Sequence, residues 1–139
     1  MDIVFLVARI LFALIFMFSA IGHLTQANAM AQYATFKGAP GGKAGVIASG
    51  VAMGVGAVMI VLGVWGDLGA LLIAVTLIPI SLFMHAHWKE EDAQAKQTEQ
   101  ISFNKNLGLI GGALALFLLF AVTGADMGLT ITGSAITLG

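Results

Sequence analysis

Few side chains in this sequence are able to do chemistry, and they are unevenly placed. The chain has three histidines, His23, His85 and His87, and no cysteine. Histidine nitrogens can ligate zinc, copper or haem iron, and they can also hydrogen-bond a quinone headgroup and exchange protons with it. His85-Ala86-His87 is not the spacing of two ligands on one helix face, and no H-E-x-x-H run is present. Three readings of His23, His85 and His87 therefore stand side by side. They are a metal or haem ligand set, part of a pocket for a quinone or another small molecule, or rings that sit with Trp88 at the headgroup level of a membrane. Without cysteine there is no disulfide, no thiol redox chemistry and no cysteine-ligated iron–sulfur cluster, so any electron transfer would need a bound cofactor. No glycine-rich phosphate loop and no nucleophile–base pattern occurs, which argues against a self-contained hydrolase or nucleotide enzyme.

The elements that must position these residues are apolar helices. Of 139 residues 59% are hydrophobic and 9% charged, where a soluble domain carries about 25% charged residues. Such a chain lacks the polar surface a soluble body needs, and a net charge of -1 gives no basic face for nucleic acid. Apolar runs over 3–21, 44–65, 68–85 and 106–122 each approach the ~20 residues that span a bilayer. The expected fold is all-α: a polytopic membrane protein, one domain over 1–139, built as a bundle of four transmembrane helices in contact with the lipid bilayer. The first run starts Met1-Asp2 and no A-x-A site follows it, so it reads as a retained span, not a cleaved signal peptide. Ala27 to Phe36 fits a short interfacial helix, and Gly38-Ala39-Pro40-Gly41-Gly42 a loop. Trp88 to Lys105 reads as a solvated loop or surface helix, and Gly124 to Gly139 as an extended or interfacial tail. Pro79 predicts a kink in the third span.

The span order then distributes the polar groups. His23, Tyr33, His85, His87, Trp88, Lys105 and Asn106 all fall at one membrane face. Arg9 and the three acids Asp2, Asp67 and Asp126 fall at the other. Arg9 lies ~9 Å along the first helix from Ile3, so it must snorkel to the interface or find a partner; those acids are the nearest. Every lysine (Lys37, Lys43, Lys89, Lys96, Lys105) is in the loops after the first and third spans. The positive-inside rule places both loops in the cytoplasm and both termini outside. Gly50 and Gly54 form a G-x-x-x-G pair, and Gly111-Gly112 open the fourth span. Small residues of this kind let helix backbones approach in lipid.

Arg9, Gly22-His23, Ser49-Gly50, Leu62-Gly63, His85-Ala86-His87-Trp88, Phe103-Asn104-Lys105-Asn106-Leu107 and Gly111-Gly112, in that order along a four-span chain, resemble the DoxX family. The resemblance implies a small four-helix protein of a bacterial or archaeal inner membrane. The family is named after a subunit of an archaeal thiosulfate:quinone oxidoreductase, which points to a quinone as the bound molecule and to other membrane or redox proteins as partners. Many members carry a carboxylate in the middle of helix two, where this chain has Val51-Ala52-Met53-Gly54. The candidate binding residues are His23, His85, His87, Asn106 and Arg9. Three functions remain open: a quinone-associated subunit of an oxidoreductase system; a non-catalytic module that packs on a membrane partner through Gly50, Gly54, Gly111 and Gly112; and a small-molecule or lipid transporter, which with four spans would need a homo-oligomer. The residues leave open whether the chain catalyses a reaction itself.

Overall fold

The structure, a computed structural model, describes residues 1–138. Five helices follow one another: α1 (Asp2–Thr25), α2 (Ala27–Phe36), α3 (Gly42–Leu62), α4 (Gly66–Met84) and α5 (Ala93–Thr123). Four of them, all but α2, are long and apolar enough to cross a membrane. The short helix expected over 27–36 is α2, with the same ends. The charged stretch before the fourth span, expected as a solvated loop or surface helix, is helical from Ala93 onward and continuous with the span. Asp92 caps a helix by accepting from the Ala95 amide at 2.8 Å, and α5 runs unbroken from there into the apolar segment. Helix formers such as Ala93, Gln94, Ala95 and Lys96 continue the turn once that cap is made.

Consecutive spans lie side by side, α1 on α3, α3 on α4 and α4 on α5. On α1 the buried residues are Arg9, Ala13, Phe16 and Ala20, one helical stripe. Ala13 and Phe16 meet Met53, Ala57 and Ile60 of α3, Ile73 and Leu77 of α4, and Ala113 and Phe120 of α5 in a single core. Outward positions such as Leu11, Phe18, Val75 and Leu118 are exposed and apolar, as a lipid-facing surface requires.

Small residues set the helix spacing. A side chain on Gly56 or Gly69 would come within 2.8 Å of the other's carbonyl oxygen, so α3 and α4 cross at backbone contact. A Cβ on Gly50 would lie 2.6 Å from the His23 Cβ, and one on Gly54 3.2 Å from the Ala20 Cβ. The Gly50–Gly54 pair thus seats α3 on α1 within the chain. Gly112 lies under the Phe12 ring, whereas Gly111 has nothing within 4 Å.

α3 ends in a Schellman turn: the Gly63 and Val64 amides donate to the Ile60 and Met59 carbonyls, with Gly63 at φ 62°. Trp65 follows at φ 44° and α4 begins at once. The C-terminal segment is not an extended tail. The Ile131 and Thr132 amides donate to the Leu62 and Gly63 carbonyls, and the Leu138 amide to that of Ala121. The Asp67 carboxylate accepts from the Ala135 and Ile136 amides at 3.0 and 2.7 Å. The tail folds back because this end of the bundle offers it a ready set of carbonyl and carboxylate acceptors.

Candidate functional site

The two ends of the bundle are chemically different. At the end with Arg9, the guanidinium is only 1% exposed, so it does not snorkel. Its Nη2 donates to the Leu129 carbonyl at 2.9 Å, while Nε and Nη1 have no partner among the described residues. Among the described residues no ion pair of Arg9 with Asp2, Asp67 or Asp126 is made; Asp67 accepts from the tail amides and Asp2 lies against Gly128. The Phe120 ring is 6.0 Å from the guanidinium carbon.

At the other end, three polar side chains, from the end of α2 and the end of α4, meet on Glu99 of α5. Lys37 donates to Glu99 Oε1 at 2.9 Å and also to Glu90; His85 Nδ1 donates to Glu99 Oε2 at 2.7 Å; and the Tyr33 hydroxyl reaches Oε1 at 3.2 Å. Lys37 also lies 5.6 Å from the centre of the Tyr33 ring. Burial would lower the Lys37 pKa, but the bonds to Glu90 and Glu99 outweigh it and hold the ammonium well above the usual lysine range. This hub ties the α2–α3 region to α4 and α5. His87 is elsewhere, packed edge-on against Trp88 and Phe103 with ring centres 5.2 and 5.5 Å away. Asn106 is buried on α5 at 4% exposure.

Beside the hub lies a cleft of about 470 Å³ between α2, the first half of α3 and the second half of α4. Met30 and Ala34 form one wall, Val46 and Ala52 a second, and Ile80 and Phe83 a third. His23, Ser49 and Thr76 are its polar side chains. The His23 Nδ1 lies 2.8 Å from the Ser19 carbonyl oxygen. A carbonyl only accepts, so Nδ1 carries the proton and Nε2 is an acceptor in the neutral ring. A small separate core of Ala27, Ala34 and Val46, with Met30, Ala39 and Met84 around it, holds α2 over this cleft.

The structure therefore separates the candidates. His23 lines the cleft, His85 sits in the hub one residue beyond the cleft residue Met84, His87 joins an aromatic cluster, and Arg9 is at the opposite end. Among the described residues no group of three His, Cys, Asp or Glu side chains is placed to hold a metal ion.

The family model for DoxX matches residues 4–86. The chain belongs to the DoxX family. No curated protein and no solved structure matches it. With its four long apolar helices, this DoxX protein is a multi-pass membrane protein. The match takes in α1 to α4, and with them every residue that lines the cleft. Glu99 and Asn106 on α5 lie beyond it.

Glu99 was not among the sequence candidates, though the sequence carries a signal for it. Glu99, Asn106, Ala113 and Phe120 recur at heptad spacing along α5, and the last three are buried. Extending that stripe backwards puts Glu99 on the bundle face. A loop or separate surface helix over 88–105 carries no such continuous stripe, which is why Glu99 did not stand out.

Proposed function

We propose that this DoxX-family protein holds an amphiphilic ring of the quinone class in the α2–α3–α4 cleft, as a membrane subunit of an oxidoreductase system. The observation that carries this reading is the cleft itself: about 470 Å³, lined mainly by apolar side chains, with His23 in its wall. Small-molecule sites are typically ~300–1,000 Å³, apolar, with a few placed polar groups. The exposed apolar surface of the neighbouring helices offers an isoprenoid tail a lipid-like path. The test is mass spectrometry of lipophiles extracted from protein purified in mild detergent. Native protein is expected to retain a quinone, and Ala52→Trp, which fills the cleft, to lose it while remaining monodisperse. Native protein that carries none and takes up no added short-chain quinone would sink the reading.

We also place the cleft end toward the cytoplasm, since every lysine of the chain lies in the segments at that end. The membrane is then the cell's inner membrane. A cysteine in place of Thr137, in the tail at the Arg9 end, is expected to react with an impermeant maleimide in intact cells. Labelling confined to inverted vesicles would reverse the orientation.

A further inference from the structure

We infer that the cleft selects ligands that donate hydrogen bonds, and so favours the hydroquinone form of its ring ligand over the quinone. This rests on the cleft reading above and adds the redox form bound. What each polar group in the wall can bind depends on where its proton lies. His23 Nδ1–H is committed to the Ser19 carbonyl, which leaves Nε2 as an acceptor. The Ser49 hydroxyl donates to the Val46 carbonyl at 2.9 Å, and the Thr76 hydroxyl to the Leu72 carbonyl at 2.7 Å. With its proton so directed, each presents oxygen lone pairs to the cleft.

Backbone groups add to the same side. Pro79 has no N–H, so the carbonyl of Val75, one turn earlier, lacks its ordinary helical donor; both residues line the cleft. The exception is Gly42, whose first-turn amide the helix ladder leaves open at the loop edge of the cleft. A quinone presents two carbonyl acceptors to a wall that has several acceptors and one donor. One of its oxygens would be buried unpaired. A hydroquinone presents two hydroxyls, and each finds an acceptor. A site that hydrogen-bonds a ligand hydroxyl discriminates strongly against an analogue without it, because its own polar groups are then left unpaired.

The experiment is an anaerobic titration of the full chain in lipid nanodiscs with decylubiquinol and, separately, decylubiquinone. The hydroquinone is expected to bind about tenfold more tightly or better, the effect of one well-made hydrogen bond. His23→Leu is expected to weaken hydroquinone binding and leave quinone binding unchanged, so that the two converge. Because His23 packs against Gly50, Thr76→Val provides a second variant with the same direction of change and a native-like side-chain shape. Equal affinity for the two forms, or tighter binding of the quinone, would overturn the preference and leave the cleft reading standing. If neither form binds native protein, both fall.

Discussion

Glu99→Ala is expected to destabilise the protein by about 2–3 kcal/mol and to free α2 from the end of the bundle, because it removes the acceptor shared by Lys37, His85 and Tyr33. The figure lies just below the ~3–5 kcal/mol of a broken, fully buried ion pair. Lys37 and Glu99 keep 13% and 12% of their side-chain surface exposed, so water partly screens what is lost. Glu90 still holds Lys37 in the variant, whereas His85 and Tyr33 lose their partner. Glu99→Gln keeps an acceptor and loses the charge, so it should fall between native and alanine. Lys37 itself gives no pH sensitivity near neutrality. Its pKa is raised in the folded state, so its contribution is complete below the ordinary lysine value of ~10.4 and is lost only as pH climbs through the higher folded value. The measurement is denaturation in detergent at pH 7, with proteolysis of the Gly38–Gly42 loop as the local readout. Unchanged stability together with unchanged cleavage would show that the hub does not fasten α2.

The elements were legible in the sequence because lipid permits so few solutions. A run such as Ile3 to Ile21, carrying only Arg9 and Ser19 as interruptions, has to be a helix when its backbone has no water to bond. The short helix α2 was legible too, since Pro40 and the flanking glycines close it off from α3. Polar partners were harder. Asn106, read as opening the fourth span, lies well inside α5. Span order brought His23, His85 and Tyr33 to one end, but it cannot tell which of them touch. That depends on helix rotation: His23 turns toward α3 and the cleft, while His85 turns toward α5 and Glu99. The contacts of the tail were hidden for a related reason. Its apolar parts are too short to span, and what fixes them is a set of backbone acceptors at Leu62, Gly63 and Ala121 that no side-chain pattern announces.

Cleft and hub form one mechanical unit. The helix that covers the cleft, α2, is held from below by the small core around Ala34 and Val46, and from its C-terminal end by Lys37 and Tyr33 on Glu99. Met84 lines the cleft and is followed directly by His85 in the hub. The hub and a cleft wall are thus one peptide unit apart, and α2 is shared by both.

Arg9→Met is expected to stabilise the protein by about 1–4 kcal/mol, the range seen when buried ion pairs or triads give way to well-packed apolar side chains of similar volume. Two effects oppose each other. Methionine leaves the Leu129 carbonyl without the donor now 2.9 Å away, a loss of about 1–2 kcal/mol. Against that, the guanidinium is 1% exposed, has two nitrogens without partners, and has no carboxylate at ion-pair distance among the described residues. A cation in that state costs several kcal/mol to remove from water, and the Phe120 ring at 6.0 Å returns only about 1–2 kcal/mol of it. Relief of the charge should win. The measurement is unfolding by sodium dodecyl sulfate from mixed micelles, with protection of the tail amides at Ile131 and Thr132 followed by hydrogen exchange. Methionine should raise the midpoint even if it loosens Leu129. A lower midpoint would mean that Arg9 holds α1 to the tail more strongly than its single hydrogen bond suggests. A higher one would mean that the bundle keeps this arginine at the expense of its own stability, so that its role lies outside holding the fold together.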